Sequence, residues 1–267
     1  MLFRTFLWLL FVGFKQVARM RECLALAPEA IQVDLTAVAQ RLGSPQGNCE
    51  NGLFQESFEA GRAFLAATAC PRCVIQTVDL KTFSRLYEGE GKNDRDTPLE
   101  MIIERSGNLA LFAVTLGQPI TDTVAQLFSE HDYLTATLLD AMASLLAEGL
   151  VESLEARFAR HLAERGGHST ALGYSPGYCG WHVSGQKALF SILKPEKIGV
   201  SLGTSCMMRP LKSVSGILVA GGPEVHDFDT IYTCCSGCDT LECRECIARI
   251  SCPVSSKREL EWTCSKE

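Results

Sequence analysis

The sequence predicts an α+β fold, with helices packed on a curved, largely antiparallel sheet. Three observations lead there. Apolar, β-branched runs at residues 73–80, 109–117 and 214–220 read as strands. Apolar residues at three- and four-residue spacing mark helices, the longest from Asp132 to about Glu164. The two kinds interleave without the regular alternation that builds a parallel sheet.

Taken in order, Ile31, Val33 and Leu35 alternate as in a strand, and residues 45–52 form a loop. Residues 54–68 read as a helix with Phe58, Phe64 and Leu65 as apolar positions, followed by the strand at 73–80. A charged loop at 88–96 leads to Thr97-Pro98-Leu99-Glu100, a capping box with proline at the first helical position; Gly107 ends that helix. Asp132 is the N-cap of the long helix. Leu134, Leu138, Met142, Leu145 and Gly149 share one stripe, and Val151, Leu154 and Phe158 continue on an adjacent face. Residues 172–181 are turn-rich and fall between two helices, the second running from 184 to 193 and stopped by Pro195. Strands are expected at 198–202 and 214–220.

The chain has 267 residues, 46% of them hydrophobic, enough to bury a sizeable core without disulfide staples. Its net charge of −6 and lack of a Lys/Arg cluster argue against a nucleic-acid partner. Residues 1–14 are strongly apolar but too few to span a bilayer as a helix. Three readings stand for them. The start is called too early and Met20 is the first residue, the run is a signal or anchor with Arg4 before it and Lys15, Arg19 and Arg21 after it, or it is a genuine N-terminal helix. The working expectation is a cytoplasmic protein with reduced thiols and no membrane partner. Three segments follow: residues 1–23 as an N-terminal extension, 24–228 as the main domain, and 229–267 as a cysteine-rich tail.

Of 13 cysteines, seven lie between Cys234 and Cys264. Cys235-x2-Cys238 and Cys243-x2-Cys246 form two pairs separated by four residues, a spacing at which thiolates chelate an iron–sulfur cluster or zinc. The short separation suits a compact cluster loop better than a zinc ribbon, and Cys252-Pro253 offers a further ligand. The alternatives are reduced thiols, or disulfides in a secreted chain. Cys70-x2-Cys73 reads equally as a structural or a redox pair.

Tyr174-Ser175-Pro176-Gly177-Tyr178 reads as a tight turn, with Gly177 supplying the positive φ of a type II turn. Together with residues 172–193 and 199–222, it resembles the activation domain of cobalamin-dependent methionine synthase, and most closely the stand-alone bacterial form. The family core Arg-x-x-Pro-Gly-Tyr falls on Gly173 to Tyr178. A second family stretch is matched at Ser205, Met208, Pro210, Ser213, Val214, Ser215 and Gly216. The resemblance is clearest from about residue 108 to 222.

The resemblance implies that S-adenosylmethionine binds in a shallow groove. Glu148 would meet the ammonium of its methionine moiety, and Ser175, Gly177 and Tyr178 would offer backbone and ring contacts. It also implies reductive methylation, in which one low-potential electron and a methyl group from S-adenosylmethionine restore a cobalamin that has fallen inactive. The cobalamin would be carried by a partner, a cobalamin-dependent methyltransferase or other corrinoid protein, since no Asp-x-His-x-x-Gly motif is present and the chain is expected to act in trans. A reductase or ferredoxin, or an iron–sulfur tail, would deliver the electron. The family's motif arginine, expected on the ligand carboxylate, is Gly173 here, and losing such a contact costs about 1.5–3 kcal/mol. Arg209, Lys187 and Lys212 are the substitutes nearest in sequence, and Ser184 stands where the full-length enzyme's motif has histidine. The rival expectation is a metal- or iron–sulfur-binding electron-transfer or interaction protein that keeps the scaffold without binding the methyl donor.

Overall fold

The computed structural model describes residues 20–26, 32–43, 51–94, 98–166, 170–228, 231–232 and 262–264. Its strands are β1 (Arg21–Leu26), β2 (Arg72–Val78), β3 (Asn108–Thr115), β4 (Thr170–Tyr174), β5 (Ser201–Leu202), β6 (Met208–Arg209), β7 (Ser213–Gly221) and β8 (Trp262–Cys264). Its helices are α1 (Leu35–Arg41), α2 (Gly52–Thr68), α3 (Leu80–Glu88), α4 (Pro98–Glu104), α5 (Gln118–Ser129), α6 (Tyr133–Ala163) and α7 (Gly185–Leu193). Six strands form one curled sheet in the order β4-β7-β3-β2-β1-β8, antiparallel at every junction, and β5 pairs with β6 in a separate ribbon.

Helices cover both faces of this sheet, which is why its central strand lacks polar alternation. Ala110, Phe112 and Val114 of β3 point into a core shared with α1, α2, α5 and α6. Leu109, Leu111 and Ala113 point into a second core with α3, α4 and α7. Helix α6 spans 31 residues, about 46 Å, and by length and composition could cross a membrane. Here it is the spine of the first core, with Leu138, Met142, Leu150, Leu154 and Phe158 fully buried. The Asp132 side chain accepts the Thr135 N–H and caps it, at the residue the sequence indicates.

Several local expectations are corrected. The alternation around Val33 and Leu35 does not make a strand: the Asp34 carboxylate accepts the Thr36 N–H and Leu35 opens α1. The neighbouring strand is β1, further upstream. Helices α3 and α5 are additional to the elements the sequence pattern marks; Asp79 caps α3 through the Thr82 N–H. Residues 198–202 divide into a 3-10 turn (Pro195–Ile198) and the two-residue β5, because Gly199 takes a φ of +82° between them. The turn after residue 174 joins a strand to a helix rather than two helices.

The far end of the segment expected as a separate tail returns to this sheet. Strand β8 pairs with β1, and Trp262 is buried with its Nε1 donating to Ser153 Oγ of α6 at 2.9 Å. Removing the Phe158 ring, fully buried between α6 and the sheet, should cost about 3–5 kcal/mol of stability in the Phe158→Ala variant, read as a lowered midpoint in urea unfolding.

Candidate functional site

Strand β4 is held on three sides, and the turn that follows inherits its position. At its end the Tyr174 hydroxyl lies 3.1 Å from His226 Nδ1, while His226 Nε2 lies 3.1 Å from the Val219 carbonyl. A carbonyl only accepts, so Nε2 carries a proton; in the neutral ring Nδ1 then accepts from the tyrosine hydroxyl. On the β7 side, a Cβ at Gly216 would sit 2.2 Å from the Tyr174 carbonyl oxygen, so the strands can approach this closely only with glycine there. On the α6 side, the buried Glu155 carboxylate accepts the Gly173 N–H at 2.8 Å. A Cβ at Gly173 would lie 3.1 Å from Val151 Cγ1 and 3.3 Å from Glu155 Oε1. The Phe112 ring from β3 packs against the faces of both glycines.

The turn then forms as the sequence predicts. The Tyr178 N–H donates to the Ser175 carbonyl at 3.2 Å, and Gly177 takes a φ of +102°. A second bond, from the Gly177 N–H to the Trp181 carbonyl at 2.7 Å, ties the turn to an indole buried edge-on against Phe83. Ser175 is half-buried, whereas Gly177 and Tyr178 are exposed.

Along α6, Ser144, Glu148, Val151 and Glu155 fall within about 60° of helical rotation, a single stripe of which Val151 and Glu155 meet β4. Gly173 marks the level of Val151 and Glu155. Glu148 lies about one turn before Val151 on this stripe, toward the N-terminal end of α6.

That end is charged. Glu148 accepts from both guanidinium nitrogens of Arg41, at 2.6 and 3.1 Å. The two side chains are 44% and 38% exposed, so the pair contributes at most about 1 kcal/mol. One turn earlier on α6, Lys212 Nζ donates to Ser144 Oγ and to Asp140 Oδ1, both at 2.8 Å; with 15% of its side chain exposed, it ties the start of β7 to α6.

The remaining candidates are dispersed. Lys187 is on α7, across the sheet from α6, bonded to Glu90 at 2.7 Å. The hydrogen bonds from Lys187 and Lys92 hold the Glu90 carboxyl well below the usual carboxylate range. Arg209 is exposed on β6, and His182 is exposed with Nδ1 2.8 Å from Ser184 Oγ. Gly149 is not a packing glycine, since nothing lies within 4 Å of a Cβ built there. Cys73 is buried, which pushes its thiol far up, while Cys70 is exposed; the first of these is structural. Cys235, Cys238, Cys243 and Cys246 lie outside the described residues, and among the described residues no three His, Cys, Asp or Glu side chains gather as metal ligands. A small cavity bounded by Met20, Ile75, Arg157, Phe158, His161 and Glu164 lies further along α6 and includes none of these groups. Arg41 escaped sequence reasoning altogether, since it meets Glu148 across 107 residues through the packing of α1 on α6.

Residues 89–233, just over half of the chain, match the family model described as "Vitamin B12 dependent methionine synthase, activation domain". The fold is similar to the crystal structure of the MetH reactivation domain bound to AdoHcy, with a TM-score of 0.53 and 17% identity over 75% of this chain and 78% of that one. No curated protein matches the chain.

Open space around Gly149 has a direct consequence. Gly149→Ala should raise stability by about 0.5–1 kcal/mol, seen as a higher Tm, because alanine is the better helix former and meets no neighbour.

Proposed function

The chain belongs to the activation-domain family of vitamin B12-dependent methionine synthase, and we propose that it binds S-adenosylmethionine beside the turn at residues 175–178 and supports reactivation of a cobalamin-dependent methyltransferase. The observation that supports this reading is the family match over residues 89–233, which spans both Glu148 on α6 and the anchored turn after β4. Glu148 offers a half-exposed carboxylate to the ligand's ammonium. The turn offers the backbone at Ser175 and Gly177 and the exposed ring of Tyr178 to the rest of the molecule. The reactivity comes from the sulfonium of the donor and the corrinoid of the acceptor, and the chain contributes binding and orientation. No general base is required of it, which agrees with a site built from an ion pair and backbone groups. The acceptor corrinoid is carried by another module, on which this chain acts in trans.

Spacing in the cysteine-rich segment supports a metal site, an iron–sulfur cluster ahead of zinc, that would pass on the electron. Anaerobically prepared protein should then contain iron and sulfide with a cluster absorbance, lost in a Cys235→Ser, Cys243→Ser variant; metal-free protein would remove this part. A second reading, an electron-transfer or interaction protein without methyl-donor binding, is favoured by one feature, the glycine at 173.

Calorimetric titration of S-adenosylmethionine separates the two readings. Micromolar binding, weakened about 10-fold or more in Glu148→Ala, is the expected result. Folded wild-type protein that takes up no ligand at millimolar concentration would sink the first reading.

A further inference from the structure

We infer that Arg41 supplies the guanidinium that residue 173 lacks, and that the Arg41–Glu148 ion pair opens to admit a zwitterionic amino-acid group between its two halves. The inference rests on the methyl-donor reading of this site and names how the donor's methionine end is recognised.

Three features carry it. Residue 173 cannot provide the charge: it is glycine, and a Cβ there would already press on Val151 at 3.1 Å. The nearby charges meet what an α-amino acid requires. Its ammonium and carboxylate are attached to the same carbon, so a carboxylate bound to the first needs a cation close beside it for the second. Arg41 is that cation, with both nitrogens on Glu148 at 2.6 and 3.1 Å. The pair is also reachable, since both side chains are more than one-third exposed. Inserting the zwitterion exchanges one ion pair for two and leaves no charge unmatched. The planar guanidinium suits bidentate binding of the incoming carboxylate as it suits Glu148 now.

The other bases are less suited. Lys212 is mostly buried and committed to Asp140 and Ser144, where it holds β7 to α6. Lys187 is across the sheet on Glu90. Arg209, exposed on β6, remains as the internal comparison.

The test compares S-adenosylmethionine with its decarboxylated form, which keeps the sulfonium, the adenosyl group and the ammonium. Wild type, Arg41→Ala, Arg41→Lys and Arg209→Ala are titrated with each. Wild type should prefer the carboxylated ligand, and Arg41→Ala should lose about 10- to 100-fold for it while binding the decarboxylated form as wild type does. Unchanged binding of the decarboxylated ligand also shows that the variant is folded. Arg41→Lys should recover part of the loss. The inference is overturned if Arg41→Ala binds S-adenosylmethionine as tightly as wild type or tighter, or if it loses both ligands equally. It is equally overturned if the discrimination disappears in Arg209→Ala instead. Should folded wild type bind neither sulfonium, the methyl-donor reading fails and this inference with it. Binding of both without a role for Arg41 removes the inference alone.

Discussion

The close approach of β4 to its neighbours is the constraint on which the site depends. At Gly216 the carbonyl of Tyr174 occupies space that any Cβ would need. At Gly173 the strand presses on Val151 while the Glu155 carboxylate takes its N–H. Both contacts are backbone-level, so they fix the strand rather than a mobile side chain. The Tyr174–His226–Val219 relay secures the same strand from the other core. A turn that begins one residue later starts from a defined place.

That arrangement also bears on the departure from the family motif at residue 173. Where the family has arginine, this chain has a residue whose missing side chain lets β4 seat on α6. On the same helix, Glu148 holds a guanidinium from α1. Charge at the site is therefore distributed over elements far apart in sequence: Arg41 from α1, Asp140, Ser144 and Glu148 from α6, and Lys212 from the approach to β7. Exposed pairs of this kind stabilise the fold very little. Their small intrinsic worth means that opening one for a ligand sacrifices little stability, whereas opening the mostly buried Lys212 cluster would sacrifice more.

Two cores on the two faces of one sheet divide the labour. The α6 side carries the charged stripe and the glycine contacts; the α3, α4 and α7 side carries the aromatic packing of Phe83, Tyr87 and Trp181, which holds the far end of the turn through the Trp181 carbonyl. Since β4 is an edge strand, the candidate site lies where the sheet ends.

Much of the scaffold was legible in the sequence because local physics sets it. The continuous apolar run of β3, the Asp132 cap and stripe of α6, and the Pro176-Gly177 turn all emerge from neighbours along the chain. The family resemblance assigns Glu148, Ser175, Gly177 and Tyr178 to the proposed site. Local reading failed where a short polar side chain overrode the apolar pattern, as Asp34 did in turning an alternating segment into α1. It failed again at β8, whose place in the sheet depends on pairing with β1 more than 230 residues away. The sequence by itself determined which elements form and which turn is glycine-dependent, because caps, periodicity and φ preference act within a few residues. Only the tertiary structure decided that Arg41 meets Glu148, that Lys212 is committed and Lys187 is on the other face, because those contacts arise from how helices pack across a sheet and leave no trace in local spacing.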